Sequence, residues 1–155
     1  MIIGVDHTSF TVANVERAVT FWSDELGFAG PGIVERQGAW VGKVTGVEGA
    51  RIRVAHLYGY GHHVEFIEYA DGLRDNPTAL PDHPGVGHIC LTVNDIHATF
   101  RKLIAVGASP LGEMSEIRGP ALAPCRAGYL RDPNGIIIEL LEMLDRNVPT
   151  AIETK

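Results

Sequence analysis

The strongest constraint on this chain is that much of it is written twice. His7-Thr8-Ser9-Phe10-Thr11-Val12 returns as His88-Ile89-Cys90-Leu91-Thr92-Val93, and His63-Val64-Glu65-Phe66-Ile67-Glu68 returns as Ile137-Ile138-Glu139-Leu140-Leu141-Glu142. His7 to His88, Thr11 to Thr92 and Asn14 to Asp95 share an offset of 81, while Glu65 to Glu139 and Glu68 to Glu142 share one of 74. The second copy is therefore seven residues shorter between its His and its Glu, which fits a trimmed loop better than a slipped strand. Two long copies imply a duplicated half-domain, since a solenoid stacks at least three short units.

Each copy reads as β-α-β-β-β. Residues 5–12 alternate and are rich in β-branched and aromatic types, a strand pattern. Asn14 is placed to cap a helix whose apolar positions Val15, Ala18, Val19, Trp22 and Leu26 recur at three and four, with Gly27 at its end. A weaker strand is expected over 28–35, and residues 40–47 read equally as strand or short helix. Residues 51–58 and 63–69 alternate around a Gly59-Tyr60-Gly61-His62 turn, which makes a hairpin. In the second copy, strands are expected over 86–93, 109–115, 126–131 and 136–143, with a loop running through Pro124. Asp95 caps a helix reaching Val106, with Ile96, Phe100, Leu103 and Ile104 as its apolar stripe. Asp132-Pro133-Asn134-Gly135 is strong turn chemistry. The fold class is thus α+β, two tandem modules forming one domain over 1–145. Module 1 spans about 1–70, a Pro-containing linker about 71–85 and module 2 about 86–145; a tail occupies 146–155.

Side chains alternate faces along a strand. His7, Ser9 and Thr11 share one face and His88, Cys90 and Thr92 share its counterpart, while the apolar faces turn to the helices. Glu65 lies with His63, Ile67 and Tyr69, and Glu139 with Ile137 and Leu141. A carboxylate in so apolar a strand is costly unless paired or metal-bound. Two imidazoles and two carboxylates suit one borderline divalent ion (Zn, Ni, Co, Mn or Fe). Such an ion could be chelated by a substrate with adjacent oxygens and act as a Lewis acid in proton removal next to a carbonyl. Four further residues are candidates for substrate contact: His63 on Glu65's face, Cys90 on His88's face, Tyr129, and Arg53, whose charge suits an anionic substrate. A structural role competes for each of them, and His56 reads as structural or solvated.

The paired modules, the His7/His88 and Glu65/Glu139 pattern and the 132–135 turn resemble the vicinal oxygen chelate superfamily, which includes glyoxalase I, methylmalonyl-CoA epimerase, drug-resistance proteins and extradiol dioxygenases. The resemblance implies curved sheets enclosing a metal-centred funnel, a homodimer, metal ligation by His7, Glu65, His88 and Glu139, and Glu139 or Glu65 as the base. With all four ligand positions filled, it favours a metal-dependent isomerase, epimerase or lyase acting through an enolate. The alternatives are a two-His, one-Glu iron dioxygenase and a non-catalytic small-molecule binder of the resistance type. The segment after Glu65 lacks the Asn typical of bacterial glyoxalase I, which counts against a glutathione-derived substrate.

Bulk properties narrow the partners. A net charge of −6 argues against a nucleic-acid groove. No apolar run approaches the roughly 20 residues of a bilayer span, and the first residues do not read as a signal peptide. Two cysteines make no disulfide framework, so a cytoplasmic, reducing setting is expected; a small-molecule substrate is what the resemblance implies.

Overall fold

Asn14 and Asp95, matched by the repeat, do matching work. Each is extended, and its side-chain oxygen accepts from the backbone N–H three residues on, Arg17 N at 2.7 Å and Ala98 N at 2.9 Å. Both are N-caps, and each satisfies a donor that its helix would otherwise leave open. The computed structural model describes residues 1–72, 79–119 and 122–145. The expected tail at 146–155 and the middle of the linker lie outside the described residues. The chain divides into two units, 1–78 and 79–155. The first runs β1 (Thr8–Thr11), α1 (Val15–Asp24), β2 (Ile33–Arg36), α2 (Ala39–Thr45), β3 (Ile52–Gly59) and β4 (His62–Tyr69). The second runs β5 (His88–Thr92), α3 (Ile96–Ala105), β6 (Ser109–Pro110), β7 (Ser115–Gly119), β8 (Leu122–Arg131) and β9 (Ile137–Met143).

The two sheets share one topology, β1-β4-β3-β2 and β5-β9-β8-β6, with β7 also paired to β8. In each, the first strand lies parallel to the last, and the hairpin strands are antiparallel. Every residue of the β3–β4 ladder is paired, from Ile52↔Tyr69 to Gly59↔His62. The two-residue loop between them, Tyr60 and Gly61, has φ of 55° and 74°. Positive φ at both positions is the hairpin turn whose twist matches its strands.

The structure departs from the expected elements in several places. The strands expected over 5–12 and 28–35 shorten to β1 and β2, and of the two readings of 40–47 the helical one holds, as α2 at Ala39–Thr45. The strand expected over 109–115 is an interrupted edge: β6 pairs with the Leu130–Arg131 end of β8, Leu111 N still bonds Tyr129 O at 3.0 Å, and β7 resumes the edge at Ser115↔Ala127. Strand β8 begins at Leu122 and so includes Pro124, expected in a loop; Pro124 has no N–H, but its carbonyl accepts from Leu144 N at 2.9 Å. Ile104 is 42% exposed and lies off the buried stripe of Ile96, Phe100 and Leu103.

The first unit has an aromatic core against α1 and a second, aliphatic cluster of Val41, Ala50, Ile52 and Val54. Trp22 is fully buried and meets Phe28 and Phe66 edge to face, each at 5.1 Å between ring centroids. In the second unit Leu103, Leu130, Ile138 and Leu140 are fully buried. The repeated Glu68 and Glu142 belong to the helix side of the sheets. Glu68 Oε2 accepts from Val15 N at 2.7 Å, and Glu142 Oε2 from Ile96 N at 3.5 Å. Arg53 and Arg126 flank them at 3.4 and 3.5 Å. A carboxylate at a helix N-terminus opposes the positive end of the dipole, worth roughly 0.3–1 kcal/mol at each site. Half of the repeated glutamates are therefore helix anchors, and they hold each helix against the strand that carries the other glutamate.

Candidate functional site

Register places the remaining glutamates on the opposite face. Directly paired residues of adjacent strands share a face, so His56, Glu65 and Ser9 stand together, as do Tyr129, Glu139 and Cys90. Phe66 and Val64, between the face-sharing residues of β4, are fully buried on the helix side.

In the first unit, His7 Nε2 lies 3.4 Å from Glu65 Oε2. His7 stands one residue before β1, where the chain leaves the ladder; residues 1–6 are exposed. What orients its ring is Asp6, whose Oδ1 is 2.6 Å from Nδ1. This hydrogen bond is the main reason that the His7 pKa is raised and the Asp6 pKa lowered. A ring held by a carboxylate through one nitrogen presents the other, the arrangement common in metal-ligating histidines. Glu65 has a second imidazole neighbour, His56, with Nε2 3.7 Å from Oε1. His56 Nδ1 in turn contacts His63 Nε2 at 3.0 Å, and the His63 ring stacks on Tyr58 at 4.3 Å.

In the second unit, His88 Nε2 lies 3.1 Å from Glu139 Oε2, and the Tyr129 hydroxyl donates to the same oxygen at 3.3 Å. The His88 and Tyr129 rings meet edge to face at 5.1 Å. Burial, reinforced by the Glu139 charge, raises the Tyr129 pKa. Cys90 pairs across the parallel ladder with Glu139. Desolvation, then the Glu139 charge and a hydrogen bond to it, push its thiol up to about 11.

The four proposed ligands thus appear as two His–Glu pairs, one per unit, each on the face away from α1 or α3; further along Glu65's own face, Val41 of α2 clusters with Ile52 and Val54, and Ile67 and Tyr69 pack against them. Each pair offers an imidazole nitrogen and a carboxylate oxygen a few ångströms apart, a donor set that fits a borderline divalent ion. His63, Tyr129 and Cys90 join the pairs of their own units. Arg53 does not: it lies on the helix side, where its guanidinium engages Glu16 and Glu68. Arg131, on Tyr129's strand, is buried and donates to the carbonyls of Gly135 and Ala79. His56 was missed by sequence reasoning. Its signal was a third offset: Arg53 to Arg126 and His56 to Tyr129 are both separated by 73. His56 is the first unit's counterpart of Tyr129, each paired in register with its glutamate.

One consequence is chemical. Cys90 is exposed and Cys125 buried, so alkylation of the folded protein reports on Cys90. At pH 8 a thiol near 11 holds about a hundredfold less thiolate than one near 9.0, partly offset by the greater nucleophilicity of a more basic thiolate. In protein stripped of metal with EDTA, iodoacetamide is therefore expected to label Cys90 at about one tenth the rate of an unhindered cysteine peptide, the rate climbing with pH towards 11. Equal rates at pH 8 would contradict this.

Comparison with known proteins bears on the whole duplicated region. The profile of the family described as the Glyoxalase/Bleomycin resistance protein/Dioxygenase superfamily matches residues 4–140. A 2-epi-5-epi-valiolone epimerase from Actinomyces sp is 28% identical over 148 residues, covering 91% of this chain and 80% of that protein. The lactoylglutathione lyase of Haemophilus influenzae is 24% identical over 145 residues, covering 88% and 90%. Among solved structures, a glyoxalase family protein from Bacillus cereus matches with a TM-score of 0.81 at 27% identity, over 94% of this chain and 97% of that one. Among the described residues no helix is long and apolar enough to cross a membrane.

Proposed function

We propose that this chain, which belongs to the Glyoxalase/Bleomycin resistance protein/Dioxygenase superfamily, is a divalent-metal-dependent isomerase, epimerase or lyase that removes a proton next to a carbonyl of a small oxygenated substrate. The observation that carries the reading is the His–Glu pair present in both units, His7 with Glu65 and His88 with Glu139. A drug-sequestering protein has no need of four ligand-type side chains at matched positions. The names of two relatives, a lyase and an epimerase, support the same chemistry.

In this reading His7, Glu65, His88 and Glu139 hold a Zn, Ni, Co, Mn or Fe ion, which when bound supplies Lewis-acid polarisation of the substrate's oxygens. The chain's own groups do the rest. Asp6 holds the His7 ring so that Nε2 faces Glu65. Tyr129 donates to Glu139 and limits the positions that carboxylate can take. A glutamate carboxylate, Glu139 or Glu65, accepts the proton leaving carbon and can return it to the same or a neighbouring carbon. That difference separates epimerisation from isomerisation. His63 and Cys90 stand beside the pairs as substrate contacts. The reading includes a homodimer in the cytoplasm, a setting in which Cys90 and Cys125 stay free.

The test is metal analysis of protein purified without chelators, followed by incubation with a panel of α-hydroxy ketones in D₂O and NMR of the exchanged C–H. About one equivalent of Zn, Ni, Co, Mn or Fe per chain, with exchange abolished by EDTA and restored by that metal, is expected. Bound iron with oxygen uptake on catechols would replace this reading with ring cleavage. Failure to take up any divalent ion would overturn it.

A further inference from the structure

The histidines of the first unit outnumber what one ligand pair needs, and they surround a cavity of about 500 Å³ lined by Val5, Asp6, His7, Tyr58, His62 and His63, among others. Glu65 does not line it. Asp6, His7 and His63 each present a ligand atom to it, and among the described residues these atoms all lie within 4.8 Å of one another. Asp6 Oδ1 sits 2.6 Å from His7 Nδ1 and 3.7 Å from His63 Nδ1.

The geometry points to a second divalent-cation site, made by Asp6, His7 and His63 within the first unit alone, for a nitrogen-preferring ion such as Cu²⁺, Ni²⁺ or Zn²⁺. The inference goes beyond the function proposed above and does not depend on it. Two features argue for a built site. His63 is oriented from behind: its Nε2 contacts His56 Nδ1 at 3.0 Å and its ring stacks on Tyr58 at 4.3 Å, which leaves Nδ1 towards Asp6. Partners that lock the ring and occupy its other nitrogen are what a ligating imidazole requires. The cavity also has room for the waters that complete a coordination sphere, and His62 on its wall offers a further imidazole. Two imidazoles and one carboxylate favour borderline metals over Mg²⁺ or Ca²⁺, which take oxygen ligands. His7 faces both ways, Nδ1 to Asp6 and Nε2 to Glu65. A neutral imidazole has one lone pair to give. An ion in the cavity therefore competes with the Glu65 side for His7, and excess transition metal should oppose whatever that side holds.

The experiment is equilibrium dialysis against Ni²⁺ with metal analysis, on intact protein and on variants. In His88→Ala/Glu139→Gln, which removes the second unit's pair, about one equivalent is expected to bind. Adding His63→Ala or the exposed Asp6→Asn should weaken that binding at least tenfold, with circular dichroism confirming the fold. If the double variant binds nothing while the intact chain binds, the cavity site is refuted and the proposed function stands. Tight binding that survives both His63→Ala and Asp6→Asn also refutes the cavity site.

Discussion

Trp22→Ala is expected to lower stability by about 3–5 kcal/mol, the range for truncating a fully buried large aromatic. The indole is completely buried on α1 and forms the hub of the first unit's core. It meets Phe28 and Phe66 edge to face at 5.1 Å and lies 6.3 Å from Phe10. Such aromatic pairs add roughly 0.5–1.5 kcal/mol each beyond the area they bury. Alanine leaves a void that rigid rings on three sides cannot close. For a chain of this length each kcal/mol shifts Tm by roughly 2–4 °C, so a fall of about 10 °C is expected. Trp40→Ala is the control: it is half exposed and should change stability by no more than about 0.5 kcal/mol. Urea denaturation followed by far-UV circular dichroism distinguishes them. A Trp22→Ala loss under 1 kcal/mol would mean that the aromatic cluster is not the unit's core.

What sequence alone could and could not read follows from what each signal depends on. The duplication, the two helices and the caps Asn14 and Asp95 were legible because they rest on spacing and local chemistry, which survive in a linear string. The inward face of Glu65 and Glu139 was legible because alternation is a local rule. The role of the second glutamate pair was not. Glu68 and Glu142 repeat as faithfully as Glu65 and Glu139, yet they face the helices and accept from Val15 and Ile96. Helix anchors repeat as equally as the proposed ligands, so a repeat by itself also marks what the fold needs. Arg53 belongs with the anchors for the same reason. His56 went unrecognised because its counterpart is a tyrosine, so the shared offset of 73 aligns residues of different type; strand register makes the match plain. Asp6 was invisible as a partner because a side chain rarely folds onto the ring of the very next residue, and here it does. Edges were the least legible part: the break between β6 and β7 and the inclusion of Pro124 in β8 depend on which strand lies alongside.

Glu139→Gln is expected to retain the fold and part of the metal, yet to lower proton exchange by about 10²–10⁴-fold, the usual contribution of a positioned base. The two candidate carboxylates are held differently. Glu65 has an imidazole beside each oxygen, His7 at 3.4 Å from Oε2 and His56 at 3.7 Å from Oε1, so it is flanked on two sides. The His88 and Tyr129 contacts of Glu139 converge on Oε2, and its third partner, the Cys90 thiol, is a weak donor, so within the limits Tyr129 sets the group can swing about that oxygen while remaining attached. A carboxylate that must approach a carbon and withdraw needs that freedom; one that only ligates does not. Glutamine keeps the shape and an acceptor for Tyr129, which protects the fold, but it cannot take a proton at neutral pH. Glu65→Gln should show the opposite balance, a larger loss of metal affinity and a smaller loss of exchange per bound metal. Measuring metal content and exchange rate on the same samples separates the two effects. Full exchange in Glu139→Gln at equal metal content would remove Glu139 from the base role and leave Glu65 as the group that takes the proton.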